Sequence, residues 1–209
     1  MLGALILAGG QSGRIQKDKA LLKLNEKPLL LHAVENLSGI SREIVVVIGK
    51  RDDPKKYQIF LPKHVRLLRD TEYGKGPLIG ILTGMRCMHS KYAIVSPCDS
   101  PFVKKELIKY LIAKLGDAQA VIPLWPNGNI EPLHSIYEIS SATRAAEKAI
   151  TGGELWVLDM IKRLQKVNYV KTEELRKVDQ ELISFLNVNT IEDLRVARKL
   201  YRRIKIEDS

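Results

Sequence analysis

What most limits the folds open to this chain is the alternation of short aliphatic runs with stretches of helical period through its first 125 residues. The runs Leu5–Ala8, Glu43–Ile48, Val65–Arg69, Tyr92–Ser96 and Ala120–Leu124 are bounded by Gly, Pro, Asp or Asn, the pattern of buried strands. Being almost continuously apolar, they suit strands covered on both faces, as in a parallel sheet. Between them, Leu29–Leu37, Leu78–Met88 and Lys105–Leu115 repeat apolar residues at helical spacing. The alternation predicts a Rossmann-like three-layer α/β/α sandwich with a mainly parallel sheet.

The later third reads differently. Leu133–Glu138 predicts a strand, Ser140–Ile150 and Leu155–Leu164 predict helices, and Leu182–Val188 predicts another strand. From Ile191 to Ile204 the residues Leu194, Ala197, Leu200, Tyr201 and Ile204 share one helical face, with Arg195, Arg198, Lys199, Arg202 and Arg203 largely elsewhere and Thr190 as N-cap. Such a helix either docks with a solvated basic face or meets an acidic partner. A length of 209 residues predicts one domain, 1–209.

Several classes are disfavoured. The apolar start Met1–Ala8 has no basic segment before it and stops at Gly9-Gly10, far short of the ~20 apolar residues that span a bilayer. The two cysteines, Cys87 and Cys98, form no CxxC pair, so neither a zinc site nor a disulfide framework is expected. A cytoplasmic protein without membrane contact is expected. Lys and Arg number 34 against 24 Asp and Glu, a formal charge of +10, which favours an anionic partner or simply a solvated basic surface. No recognised RNA- or DNA-binding motif accompanies that charge.

Three strand-to-loop junctions carry the chemistry. Leu7-Ala8-Gly9-Gly10-Gln11-Ser12-Gly13-Arg14, with Lys17-Asp18-Lys19 after it, follows the first strand. Glycines there let backbone N–H groups approach phosphate oxygens, and Arg14 and Lys19 add positive charge. The string is neither a Walker A loop nor a GxGxxG fingerprint, and its glycines alone are equally those of a tight turn. Asp99, in Ser96-Pro97-Cys98-Asp99-Ser100-Pro101, lies at a strand end, where a carboxylate can hold Mg²⁺ or cap the next helix. Asp70 ends a further strand, before Gly74-Lys75-Gly76-Pro77-Leu78-Ile79-Gly80.

Taken in order and spacing, these motifs resemble the molybdenum cofactor guanylyltransferases, members of the wider GT-A-like, nucleotide-diphospho-sugar transferase group. The resemblance spans nearly the whole chain. It rests on LAGG-x-S-x-R…DK at Leu7–Lys19, Asp70…GPLxG, PCDSPF at Pro97–Phe102, EPLHSIY at Glu131–Tyr137 and FLNVNT at Phe185–Thr190. It implies that Leu7, Ala8, Gly9 and Gly10 line the nucleotide, that Lys19 meets its phosphates, that Asp70 contacts it, and that Asp99 binds both nucleotide and Mg²⁺. Arg14, Lys19 and Asp99 are then the catalytic candidates. Asn187 and Asn189 would bind the acceptor or cap the last helix, and the Glu131, His134 and Tyr137 region would face the acceptor. Ile15-Gln16 replaces the family's usual Met-Gly, and Ile48 stands where an Asn is common.

The resemblance implies transfer of GMP from GTP to the phosphate of molybdopterin or molybdenum cofactor, with Mg²⁺ as cofactor and pyrophosphate released. Residues 1–125 would form the nucleotide-binding part and 126–209 the acceptor-facing part with the terminal helix. Cofactor-biosynthesis proteins or acceptor apoenzymes would be further partners. The alternatives are transfer of another nucleotide, such as CMP, to a different phosphorylated metabolite, and a non-catalytic nucleotide- or nucleic-acid-binding protein.

Overall fold

The computed structural model describes residues 1–9, 18–70 and 76–207. Gly10 and Arg14 therefore lie outside the described residues. The first strand, β1 (Leu2–Leu7), is followed by a 3₁₀ turn at Lys19–Leu21, a small hairpin of β2 (Lys23–Leu24) and β3 (Lys27–Pro28), and helix α1 (Leu29–Ser38). Then come β4 (Glu43–Ile48), α2 (Lys55–Gln58), β5 (Arg66–Arg69), α3 (Pro77–Arg86), β6 (Tyr92–Pro97), α4 (Lys105–Ala113) and β7 (Ala120–Leu124). The chain continues through β8 (Ser135–Glu138), α5 (Ile139–Thr151), α6 (Val157–Ile161), β9 (Val167–Lys171), α7 (Thr172–Leu175) and a 3₁₀ turn at Ile183–Phe185 to the last helix, α8 (Ile191–Glu207).

Seven strands form one sheet in the order β5-β4-β1-β6-β8-β7-β9, parallel except at β8, which runs antiparallel to both β6 and β7. The chain leaves β1 toward β4 and β5 on one side and returns through α3 to β6 on the other. The order therefore reverses beside β1, and the crevice outside the strand carboxyl ends at such a reversal is where α/β sheets bind ligands. Three backbone bonds draw the strand ends level at that edge. Cys98 N–H donates to Leu7 O at 3.0 Å, Ala8 N–H to Val47 O at 2.8 Å, and Asp70 N–H to Ile48 O at 3.0 Å. Gly9, Asp70 and Asp99 emerge together for that reason.

Strand periodicity sorts the core into two layers. Ala4, Ile6, Ile44, Val46, Ile48 and Ile94 point to the side covered by α1 and α4, while Leu5, Leu7, Val45, Val47, Ala93 and Val95 point to α3, α5 and α6. Helix α3 begins at Pro77, whose missing N–H costs nothing in a first turn. It lies so close to β1 that a Cβ on Gly84 would come within 2.2 Å of Leu5 Cδ1.

A third, smaller cluster seats the C-terminal helix. Leu194 and Ala197 of α8 pack with Leu24, Leu29, Phe102 and Val188, flanked by Leu200, Tyr201 and Ile204. The helix is docked along the apolar face read from the sequence. Thr190 Oγ1 accepts from Asp193 N–H at 3.1 Å, and Asp193 Oδ2 accepts from Thr190 N–H at 2.8 Å, a reciprocal cap.

The five early strands lie where the sequence predicts them, to within three residues at their ends. The predicted strand Leu182–Val188 is instead a 3₁₀ turn and an unpaired extended segment. Ile183, Leu186 and Val188 are consumed against α8 and Phe102, and Leu182 and Phe185 against the main core, rather than in a ladder. Strand β9, not foreseen, pairs in parallel with β7 at the sheet edge. It offers only Val167 to one core layer and Val170 to the other, no apolar alternation that would stand out from its polar neighbours.

Candidate active site

Lys19 occupies the junction of three segments. Asp18 Oδ1 caps the 3₁₀ turn by accepting from Ala20 N–H at 3.1 Å, which fixes where Lys19 leaves the backbone. The Lys19 Nζ donates to Asn189 Oδ1 at 2.6 Å and lies 3.4 Å from Asp99 Oδ2. Both charged side chains are about 15% exposed, 16% for Lys19 and 15% for Asp99. Asp99 O in turn accepts from Val188 N–H at 2.8 Å, so the loop after β6 holds the C-terminal segment by backbone and, through Lys19, by side chain.

On the nucleotide side the predicted residues divide. Leu7 and Ala8 turn their side chains into the core, and Ala8 spends its N–H on β4, so they form a wall. Gly9 is exposed. A Cβ there would fall 2.7 Å from Gly49 N, so glycine lets the end of β1 pass against the end of β4. Asp70 is anchored by Thr83, whose Oγ1 donates to Asp70 Oδ1 at 2.8 Å. Gly80 lies beneath it, where a Cβ would meet Leu7 Cδ2 at 3.3 Å. Next to Gly49 sits a group that sequence reading missed. Asp52 Oδ2 accepts from Gly49 N–H at 2.8 Å, and the Tyr57 hydroxyl donates to Asp18. Burial first, opposed by the Gly49 N–H and aided by the Asp18 charge, raises Asp52 above its ordinary value.

On the other side of Asp99 a cleft of about 310 Å³ is lined by Pro97, Asp99, Glu131, Pro132, Leu133, His134, Asn187 and Asn189. A polar relay runs behind it. Ser100 Oγ donates to Asn187 Oδ1, and His134 Nε2 lies 3.0 Å from Ser100 Oγ. With its one proton committed to Asn187, the serine accepts from His134 Nε2–H. His134 Nδ1 makes no hydrogen bond and is buried 3.6 Å from Glu131 Oε2. Glu131 Oε1 accepts from the Trp125 indole N–H at 2.7 Å. Burial pushes Glu131 upward, but the His134 ring and the Trp125 N–H outweigh it and hold the carboxyl below its ordinary value. Phe185 packs edge-on against both His134 and Trp125.

Of the EPLHSIY residues, Glu131 and His134 reach this cleft and Tyr137 does not. Tyr137 is fully buried on the α3/α5 face and donates its hydroxyl to Pro132 O at 2.8 Å. Strand alternation is the physical reason, since the position next to it, Ile136, faces the opposite layer. Cys98, beside Asp99, is buried and its thiol pushed well up, so it takes no nucleophilic part. Ser100, Trp125 and Phe185 were missed as site residues. Ser100 and Phe185 sit inside the PCDSPF and FLNVNT motifs and were legible there, whereas Trp125 carried no local signal.

A sheet edge open beside a strand-order reversal, with a lysine set against a carboxylate, places the chain among nucleotide-binding α/β proteins. Comparison with known proteins narrows the class. Residues 4–167 match the MobA-like NTP transferase domain, and the chain belongs to that family of nucleotidyltransferases. It is 34% identical over 198 residues to a probable molybdenum cofactor guanylyltransferase of Methanosarcina mazei, covering 91% of this chain and 87% of that one. The crystal structure of molybdopterin-guanine dinucleotide biosynthesis protein A from Archaeoglobus fulgidus superposes with a TM-score of 0.79 at 31% identity, over 97% of this chain and 100% of that one. A 2-C-methyl-D-erythritol 4-phosphate cytidylyltransferase from Thermus thermophilus, at 18% identity and a TM-score of 0.70 over 96% and 98% of the two chains, shares the fold.

Proposed function

We propose that this chain transfers GMP from GTP to the terminal phosphate of a molybdopterin-type cofactor, forming a guanine dinucleotide and releasing pyrophosphate. The observation that carries the reading is the position of Lys19. Its ammonium touches both Asp99, at the end of β6, and Asn189, in the C-terminal segment. A cation is thereby held where a nucleotide at the β1 edge and an acceptor in the cleft would bring their phosphates together. Residues 1–125 then supply the nucleotide side and 126–209 most of the acceptor side, within one cytoplasmic domain. Among the described residues no helix is long and apolar enough to cross a membrane.

In the proposed reaction an acceptor phosphate oxygen attacks the α-phosphorus of GTP in line, the bond to the β-phosphate oxygen breaks, and pyrophosphate leaves. Such transfers are driven by positioning and charge stabilisation. Lys19 offsets the negative charge of the two approaching phosphates, with Arg14 as a second cation from the glycine-rich loop. Gly9 lets the nucleotide lie against the β1 edge, Asp70 binds it, and Asn187 and Asn189 orient the acceptor. The acceptor phosphate is already ionised near neutral pH, so no general base is needed.

The residues present suit a Mg²⁺ ion that arrives with its nucleotide. Among the described residues no group of three or more His, Cys, Asp or Glu side chains could hold a metal, while Asp99 offers one carboxylate. Mg²⁺ is commonly held by one or two carboxylates together with phosphates and water. Bound at Asp99, it would neutralise triphosphate charge.

The test is pyrophosphate release with GTP, CTP, ATP or UTP, with and without a molybdopterin-type acceptor. GTP-selective, acceptor-dependent release supports the reading. CTP selectivity would move the chain to cytidylyl transfer, and binding without release would make it a nucleotide sensor.

A further inference from the structure

The cleft beside Asp99 is chemically lopsided. At the Asp99–Asn189 rim stands the Lys19 ammonium. Away from that rim the described lining contains no lysine or arginine, and its polar groups are Glu131, His134 and Asn187 between Pro97, Pro132 and Leu133. A phosphate fits the first end. The second repels anions and presents a carboxylate acceptor.

That acceptor is Glu131 Oε2. The Trp125 N–H takes up Oε1, fixing the carboxylate plane. His134 Nδ1 lies beside Oε2 at 3.6 Å and makes no hydrogen bond, so it does not satisfy that oxygen. His134 is itself held in place by Ser100 and by the edge of Phe185. Glu131 lines the cleft with its side chain 26% exposed, so Oε2 is accessible to a ligand's donor. Proline and leucine walls favour a flat, uncharged ring over a flexible polar chain.

We propose that Glu131 is a specificity residue of the acceptor cleft, recognising the adjacent N–H donors of an aminopyrimidine-type ring edge while Lys19 meets the phosphate at the opposite end of the same ligand. The inference rests on the nucleotidyl-transfer reading and adds the polarity with which the acceptor lies: ring toward Trp125 and Glu131, phosphate toward Lys19.

The probes are a pterin phosphate, whose ring edge carries an exocyclic amine beside a ring N–H, and the corresponding lumazine phosphate, in which an oxo group replaces that amine. Binding to the full chain is measured by calorimetry in the presence of Mg²⁺ and a non-hydrolysable GTP analogue. The wild type is expected to prefer the pterin by about 10- to 100-fold, the range for a site left with an unpaired buried polar group. In Glu131→Gln the Trp125 bond survives but the free acceptor can turn into a donor. The pterin-to-lumazine preference is expected to collapse to within about twofold of unity, with affinity for the GTP analogue unchanged. Glu131→Asp, shorter but still anionic, is expected to keep part of the preference.

A merely structural role would weaken both probes alike and leave their ratio intact, which overturns the proposal. So does a wild type that binds neither probe, or binds both equally, while still binding the nucleotide. Failure of the nucleotidyl-transfer reading looks different, because there the wild type binds no GTP analogue at all.

Discussion

The two sides of Asp99 are built by different means. The nucleotide side is held by backbone: Leu7, Val47 and Ile48 carbonyls receive N–H groups from the next strands, and the ends of β1, β4, β5 and β6 come level because their ladders do. The acceptor side is held by side chains, two contacts between distant stretches, Ser100 to Asn187 and His134 to Ser100, and one across a turn, Trp125 to Glu131. Sheet geometry survives most single substitutions, whereas a side-chain relay can be cut at any member. Damage on the first side should therefore appear in the chemistry or the strand packing, and damage on the second in the choice of acceptor.

The largest effect is expected where the two sides meet. Asp99→Ala should lower pyrophosphate release by about a thousandfold or more, since electrostatic groups at transferring phosphates are commonly worth that much. Its fold should persist, because the Val188 N–H is held by the Asp99 carbonyl and not by its side chain. A wild-type rate, or a collapse in Tm, would break the division proposed at this residue. Lys19→Met should follow, with kcat/KM down about a hundredfold. Because Lys19 also ties Asn189, KM for the acceptor should rise in the same variant. A change confined to GTP would show that the bridge is not shared.

Gly9→Ala sharpens the backbone side. The obstacle to its methyl is the Gly49 backbone N at 2.7 Å, not the tip of a flexible chain. Overpacking of this sort costs about 1–3 kcal/mol, roughly 2–12 °C in Tm for a chain of this size, and nucleotide affinity should fall with it. An unchanged melting curve would show that the β1 and β4 ends slide apart freely. On the side-chain side, Asn187→Ala should raise acceptor KM by about tenfold, the worth of roughly one hydrogen bond to a buried partner, with KM for GTP unmoved. Equal effects on both substrates would erase the contrast between the two halves.

That contrast also explains what the sequence made legible. Lys19, Asp70 and Asp99 fall beside short motifs at strand ends, and Glu43–Ile48 and Ala120–Leu124 are strands whose bounds follow from their apolar runs. Backbone periodicity is local, so it can be read from neighbouring letters. The relay is not local. Ser100 and Asn187 are 87 residues apart, and His134 is 34 residues from Ser100. Trp125 owes its role to the turn that folds it onto Glu131, where Trp125 N–H donates to Asn129 O at 2.8 Å. Leu182–Val188 misleads for a related reason: its apolar residues are divided between the α8 and Phe102 cluster and the main core, contacts that period alone cannot distinguish from a strand interior. Tyr137 shows the same limit at finer scale, since register and not residue type turned it away from the cleft.

The smallest effect concerns pH, and it isolates the Trp125–Glu131 bond from catalysis. Glu131 has a folded-state pKa below its ordinary 4.5, so its contribution to stability is complete above that value and is lost as pH falls through the lower, folded one. The side chain is about a quarter exposed, 26%, so solvent screening keeps the contribution small. Trp125→Phe preserves most of the ring packing against Phe185 but removes the indole N–H. Burial, the largest single influence on this carboxyl, then meets less opposition, and the folded pKa must rise. The gap between the unfolded and folded pKa narrows, so Glu131's part of the acid limb should become shallower in the variant, while the neutral-pH transfer rate from GTP falls by no more than a few-fold. The slope is read from stability measured against pH, and the pKa from a carboxyl-resolved NMR titration. A Glu131 resonance that titrates at the same pH in both proteins would mean that the indole does not hold the carboxylate, and the acceptor wall would lose the member that fixes its plane.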